Sequence, residues 1–139
     1  YKVPPSHIVL EVTETAVVDD QASTIKKLKH LQKLGFEIAL DDFGTGYSSL
    51  AYLKDLPINY IKIDKTFVDP LEHEETDGLV ETIISMGRHM RLNVIAEGTV
   101  TEAQVMRLKQ YGCKLFQGYY YARPMPVTDF ENWILRKLG

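Results

Sequence analysis

The chain has 139 residues, enough for one domain with a real core, and is 45% hydrophobic and 25% charged, which excludes a disordered or fibrous chain. Its formal net charge of −3 supplies no general attraction to a nucleic acid polymer or an anionic membrane, so an anionic ligand must meet local positive charge. The single cysteine, Cys113, rules out an internal disulfide and a cysteine-based zinc site.

Strand and helix signals alternate along the chain. His7–Val12 is short and β-branched and predicts a strand. Gln21–Leu34 carries Ile25, Leu28, Leu31 and Leu34 at helical spacing, and Gly35 stops it. Phe36–Asp41 reads as the next strand, Ser48–Lys54 as a short helix, and Asn59–Ile63 as a third strand. Asp77–Met90 is helical, and Leu92–Ala96 is a fourth strand. Thr101-Glu-Ala-Gln104 fits a capping box for a helix that runs to Tyr111 and stops at Gly112. Lys114–Gln117 is a fifth short strand. Thr128-Asp-Phe-Glu131 is a second capping-box candidate, opening a last helix that would pack through Phe130, Trp133, Ile134 and Leu138.

Repeated β-α units imply an α/β fold with about five parallel strands and right-handed crossovers. An open doubly wound sheet and part of a (β/α)₈ TIM-type barrel both fit. No apolar run is long enough to span a bilayer, and Tyr1–Pro5 does not resemble a signal peptide. With one cysteine, this leads us to expect a cytoplasmic domain, any membrane anchor lying in regions outside this chain.

Polar residues fall at strand ends. Glu11 ends the first strand, Asp41 and Asp42 the second, Glu97 the fourth and Gln117 the fifth, while Lys62 sits near the end of the third. In parallel β-α proteins those ends share one side, which carries the site. Four carboxylates held close together repel strongly unless a cation joins them, and an all-oxygen mouth suits Mg²⁺ or Mn²⁺. Two such ions can clamp the attacking and leaving oxygens of a phosphoryl displacement. Lys62 alternates with Ile61 and Ile63, and a lysine on an inward strand face needs a carboxylate or a phosphate. Its bland alternative is a structural ion pair with Asp41 or Glu97. Phe43–Ser49 matches no phosphate-cradle motif and reads as a mobile loop. Glu14, one helical turn past Glu11, is expected to pin that loop through Thr45, Ser48 or backbone N–H groups.

The stretches "EVTE" at 11–14, "DDFGTGYSSL" at 41–50, "LPINYIKIDKTFV" at 56–68, "VIAEG" at 94–98 and "FQGYYYARPMP" at 116–126 resemble the EAL domain family. The resemblance covers essentially the whole chain. It implies hydrolysis of cyclic di-GMP to linear pGpG with two Mg²⁺ or Mn²⁺ ions on a (β/α)₈-type barrel. By it, Glu11, Asp41, Asp42 and Glu97 are metal ligands, with Asp41 bridging both ions and Glu97 a candidate general base. Lys62 holds the nucleophilic water, Gln117 sits in the same polar shell, Glu14 anchors the loop and Pro124 contacts a guanine base. Such a parent would carry further domains of sensor or GGDEF type.

Two departures stand out. The Glu-Ala-Leu stretch that names the family is absent, as is the asparagine expected one strand before Glu11; both supply metal ligands. Residues 1–139 therefore read as the C-terminal part of one EAL domain, inactive alone, with open strand edges that favour a homodimer or other self-association. Family members also usually read E-G-V-E-T where this chain reads Glu97-Gly-Thr-Val-Thr101, so Val100 replaces an acid. That change raises two alternatives, a catalytically inactive cyclic di-GMP receptor and a protein-interaction module.

Overall fold

The computed structural model describes residues 2–45, 53–72 and 77–138. The helix expected over 48–54 falls mostly outside these residues, as does 46–49 of the glycine-rich turn.

The described elements alternate. A 3₁₀ turn, Pro5–His7, leads into β1 (Val9–Thr13), followed by α1 (Glu14–Asp19), α2 (Gln21–Lys33) and β2 (Glu37–Phe43). Then come β3 (Tyr60–Ile63), α3 (Lys65–Val68), a 3₁₀ turn (Asp69–Glu72), α4 (Asp77–His89) and β4 (Asn93–Glu97). The chain finishes with α5 (Glu102–Gln110), β5 (Leu115–Gln117) and α6 (Val127–Leu138). All four strand pairings are parallel, and the spatial order β1-β2-β3-β4-β5 repeats the chain order. An open doubly wound sheet reverses its order at a switch point. A sheet that advances in one direction is a sector of a barrel, so the barrel alternative holds.

Burial follows that sector. The central strands are the dry ones: Ile38, Leu40, Ile61 and Ile63 are fully buried, as is Val80 on α4. Each such aliphatic side chain contributes about 1.5–3 kcal/mol of burial. The outer strands β1 and β5 alternate exposed and half-buried residues, and each pairs on one side only among the described residues.

Several local expectations shift. His7 lies in the 3₁₀ turn because Pro4 and Pro5 favour a turn, and the Pro4 carbonyl accepts from His7 N–H at 3.0 Å, so β1 starts at Val9. Glu11 is in a strand and Glu14 opens α1, so the two share no helix. The capping box at Thr101 and Gln104 forms with both bonds. The one expected at Thr128 does not: α6 begins at Val127, and the Pro126 carbonyl accepts from Asp129 and Phe130 N–H. Nor is α6 buried. Phe130 is exposed, Trp133 and Ile134 are half-buried, and the side chain of Leu138 lies outside the described residues.

Candidate active site

Strand β2 builds the centre of the site. Its register with β3 slips between Leu40 and Phe43, where Asp41 and Asp42 occupy a bulge. Asp42 takes a left-handed φ of 56°, a conformation Asp tolerates better than most residues, and its N–H donates to Asp41 Oδ1 at 3.0 Å. The two carboxylates therefore leave the strand in different directions. Thr45 closes the turn by donating its hydroxyl to the Asp42 carbonyl at 2.8 Å.

Lys62 on β3 faces this bulge. Its ammonium meets Glu11 Oε1 at 2.6 Å, Glu97 Oε1 at 2.7 Å and Asp41 Oδ1 at 3.2 Å. Three strands thus deliver one carboxylate each to one cation that is only 3% exposed. Burial alone would lower the lysine pKa, but hydrogen bonds from Glu11, Glu97 and Asp41 outweigh it and hold the amine protonated far into alkali. The Glu97 carboxyl is pushed up as well, by burial first, with Lys62 pulling it down and Asp41 and Glu11 adding repulsion. These directions are compatible, because one ammonium shared among three carboxylates cannot neutralise them all. Asp42 makes no ion pair with Lys62 among the described residues, and burial with repulsion from Asp41 and Asp64 pushes its carboxyl up.

Glu14, only 3% exposed, accepts from the Gly44 N–H at 3.2 Å, so the start of the glycine turn is tied to α1 through backbone. Of the routes expected for Glu14, the backbone one is present; Thr45 bonds elsewhere and Ser48 lies outside the described residues.

Glu97 pairs in register with Gln117, and both line a cavity of about 620 Å³ that also takes in Pro124. Among the described residues Lys62 pairs with neither Gln117 nor Pro124, and Glu97 joins the charged rim to the cavity beside it. Sequence reasoning missed Lys65 and Arg123 on that cavity wall, which Tyr119 also lines. The Arg123 guanidinium stacks 4.5 Å from the Tyr119 ring centroid, an arrangement no spacing rule signals.

The donor chemistry of the rim, all carboxylate oxygen, fits a hard divalent cation. The donors are not gathered around a metal position in this structure: among the described residues no three acidic, imidazole or thiol groups stand ready to hold an ion. The expected ligand set Glu11, Asp41, Asp42 and Glu97 is therefore not assembled around a cation position. Three of the four turn onto Lys62, and Asp42 stands apart.

Residues 1–124 match the family model of the EAL domain. The chain belongs to the EAL domain family. It is 43% identical to the signaling protein YkoW of Bacillus subtilis over 99% of its own length and 17% of that protein. It is 44% identical to the bifunctional diguanylate cyclase/cyclic di-GMP phosphodiesterase MucR of Pseudomonas aeruginosa, covering 93% of this chain and 19% of MucR. The MucR phosphodiesterase, solved in complex with c-di-GMP, superposes with a TM-score of 0.88 at 43% identity, over 92% of this chain and 52% of that one. Klebsiella pneumoniae BlrP1, solved with manganese and cy-diGMP, gives a TM-score of 0.81 at 32% identity, over 88% and 31%. The EAL chain described here thus spans about a fifth of the length of these curated relatives. None of its described helices is long and apolar enough to cross a membrane.

Proposed function

We propose that this EAL chain contributes the C-terminal half of a site that hydrolyses cyclic di-GMP to linear pGpG. The observation that carries this reading is the convergence of Glu11, Asp41 and Glu97 on Lys62 at the C-terminal strand ends. In the complete site Glu11, Asp41, Asp42 and Glu97 would hold Mg²⁺ or Mn²⁺. Bound there, the ions would neutralise charge at phosphorus and acidify the attacking water.

The chain's own residues do the rest. Lys62, protonated throughout the physiological range, serves as a donor and not as a general base. All three of its N–H bonds are committed to carboxylates, so it must release one to hold water against the phosphodiester. Glu97, whose carboxyl burial raises above its usual range, would take the proton from that water. Gln117 and Pro124 frame the cavity for a base, and Glu14 fixes the turn beside Asp42. In this reading the one-sided edges of β1 and β5 and the exposed apolar residues of α6 are covered by the remaining barrel strands or by a second copy. The 139 residues alone have no useful turnover.

A receptor reading draws on Val100, which lines the cavity and is 44% exposed, so the position where an acid is usual offers no charge there. One assay separates the two. The polypeptide that carries this chain in the cell is incubated with cyclic di-GMP and Mg²⁺ or Mn²⁺, beside its Lys62→Met variant. Cation-dependent release of pGpG, lost at least 100-fold in the variant, supports hydrolysis. Tight binding without release would overturn it in favour of the receptor.

A further inference from the structure

A second cavity, of about 330 Å³, opens at the opposite end of the strands, between the starts of β4 and β5. Arg88 at the end of α4, Arg91 in the turn after it and Lys114 just before β5 all line it, and among the described residues no acidic one does. The sequence explains the imbalance: no Asp or Glu occurs from Thr82 to Ala96 or from Ala103 to Thr128. On a chain of net charge −3 this is a local reversal of sign.

The site is partly built. The Arg88 Nη2 donates to the Tyr111 carbonyl at 3.0 Å, and the guanidinium lies so close to Gly112 that a Cβ there would stand 2.4 Å from Nη2. Gly112, at φ 92°, is thus needed twice: for the turn, and for the passage of Arg88. Arg91 sits at a left-handed φ of 59°, unusual for a non-glycine residue. Among the described residues neither Arg91 nor Lys114 has an ion-pair partner. Leu92 and Leu115 add apolar wall, Leu115 being 40% exposed.

Basic residues in a last helical turn often only complement the helix dipole. That accounts for Arg88 but not for Lys114, which precedes a strand, nor for a shared cavity. Two guanidinium forks and an ammonium around one opening suit a phosphate dianion. The volume, at the lower end of the usual ligand range of roughly 300–1,000 Å³, leaves room for an organic body against the leucines. We propose that this cavity binds a small phosphomonoester. Asn93, which also lines it, is the first residue of the strand that ends in Glu97, about 13 Å away along β4.

The test is calorimetric titration of the full chain with phenyl phosphate in chelator, so that no cation draws phosphate to the acidic rim. Inorganic phosphate is titrated in parallel. The double variant Arg91→Gly/Lys114→Gln removes two cations, and glycine suits the left-handed backbone at 91. Lys29→Gln/Lys33→Gln removes the same charge from the exposed face of α2. Saturable binding, at least tenfold tighter than inorganic phosphate and at least tenfold weaker in the first variant only, is expected. No saturable binding, equal loss in the α2 variant, or no preference over inorganic phosphate would each overturn the proposal.

Discussion

Thr99 is fully buried, and its hydroxyl has no hydrogen-bond partner among the described residues. Its backbone is satisfied: the N–H donates to the Gln117 carbonyl at 3.4 Å, and the carbonyl accepts from Tyr120 N–H at 3.0 Å. No water fits beside the hydroxyl on the Gly118 side, because a Cβ on Gly118 would stand 2.5 Å from Thr99 Oγ1 and 2.1 Å from its carbonyl oxygen. An unpaired buried hydroxyl costs about 1–3 kcal/mol. Thr99→Val exchanges it for a methyl of nearly the same shape, and some of the gain is lost where the larger group presses on the Gly118 backbone. The expected net effect is a stabilisation of about 1–2 kcal/mol, or a Tm rise on the order of 4–8 °C for a domain of this size.

Urea unfolding followed by circular dichroism reads this directly. The midpoint should rise with an unchanged slope, which locates the effect in the folded state. Thr99→Ser keeps the hydroxyl and loses the methyl, so it should be less stable than the parent. A Thr99→Val chain no more stable than the parent would mean that the hydroxyl has a partner, and the reasoning from burial would fail.

Lys62→Met should cost about 3 kcal/mol at pH 7, the lower part of the range for breaking a buried pair, because Glu11 is 49% exposed and stays partly solvated. Since the lysine pKa is raised, its contribution is complete below about pH 10 and fades only in strong alkali, so the variant's deficit in urea unfolding should be the same at pH 7 and pH 9. Asp64 caps α3 by accepting from the Thr66 hydroxyl and N–H, which hold its carboxyl below the usual range. That contribution is present above about pH 4 and lost as pH falls through the depressed value, so Asp64→Ala should cost about 1 kcal/mol at pH 7 and little in acid, by urea titration at both pH values. Gly98 has a φ of 67°, and a Cβ there would stand 2.3 Å from Lys65 Cγ, so Gly98→Ala should lower stability by at least about 1–2 kcal/mol and displace Lys65 from the cavity wall. An unchanged unfolding midpoint for that variant would refute the packing described.

The alternation of apolar runs with helical periods carried the fold, because βαβ chirality leaves few topologies. Acids at successive strand ends carried the rim, because parallel strands bring those ends together. What the sequence could not disclose were outcomes of three-dimensional competition. Glu11 reads as one acid among several, yet it makes the shortest bond to Lys62. The bulge at Asp41 and Asp42 depends on the partner register, which no local pattern encodes. Arg88 and Arg91 read as an ordinary helix end until Lys114, 23 residues after Arg91, proves to share their cavity. Thr99 reads as a surface loop residue between Gly98 and Val100, and only the close approach of Gly118 seals it from water.

The rim also fixes how substrate binding must depend on cations, if the chain acts as proposed. Four carboxylates share the rim with one ammonium, which is already bonded to three of them. A phosphodiester anion about 5 Å from an unneutralised carboxylate is repelled by about 3 kcal/mol at an effective dielectric near 20. Burial raises the Asp42 and Glu97 carboxyls first, and repulsion from neighbouring carboxylates adds to it. Lys65 and Arg123 on the cavity wall offset part of that repulsion. Cyclic di-GMP should therefore bind the polypeptide carrying this chain at least 100-fold more weakly in chelator than with Mn²⁺, a difference measurable by equilibrium dialysis. Lys62→Met should widen that ratio, because it removes the one cation paired with the rim carboxylates among the described residues. Affinities within threefold of each other in the two conditions would mean that the nucleotide does not approach these carboxylates, and the site would have to be sought elsewhere on the chain.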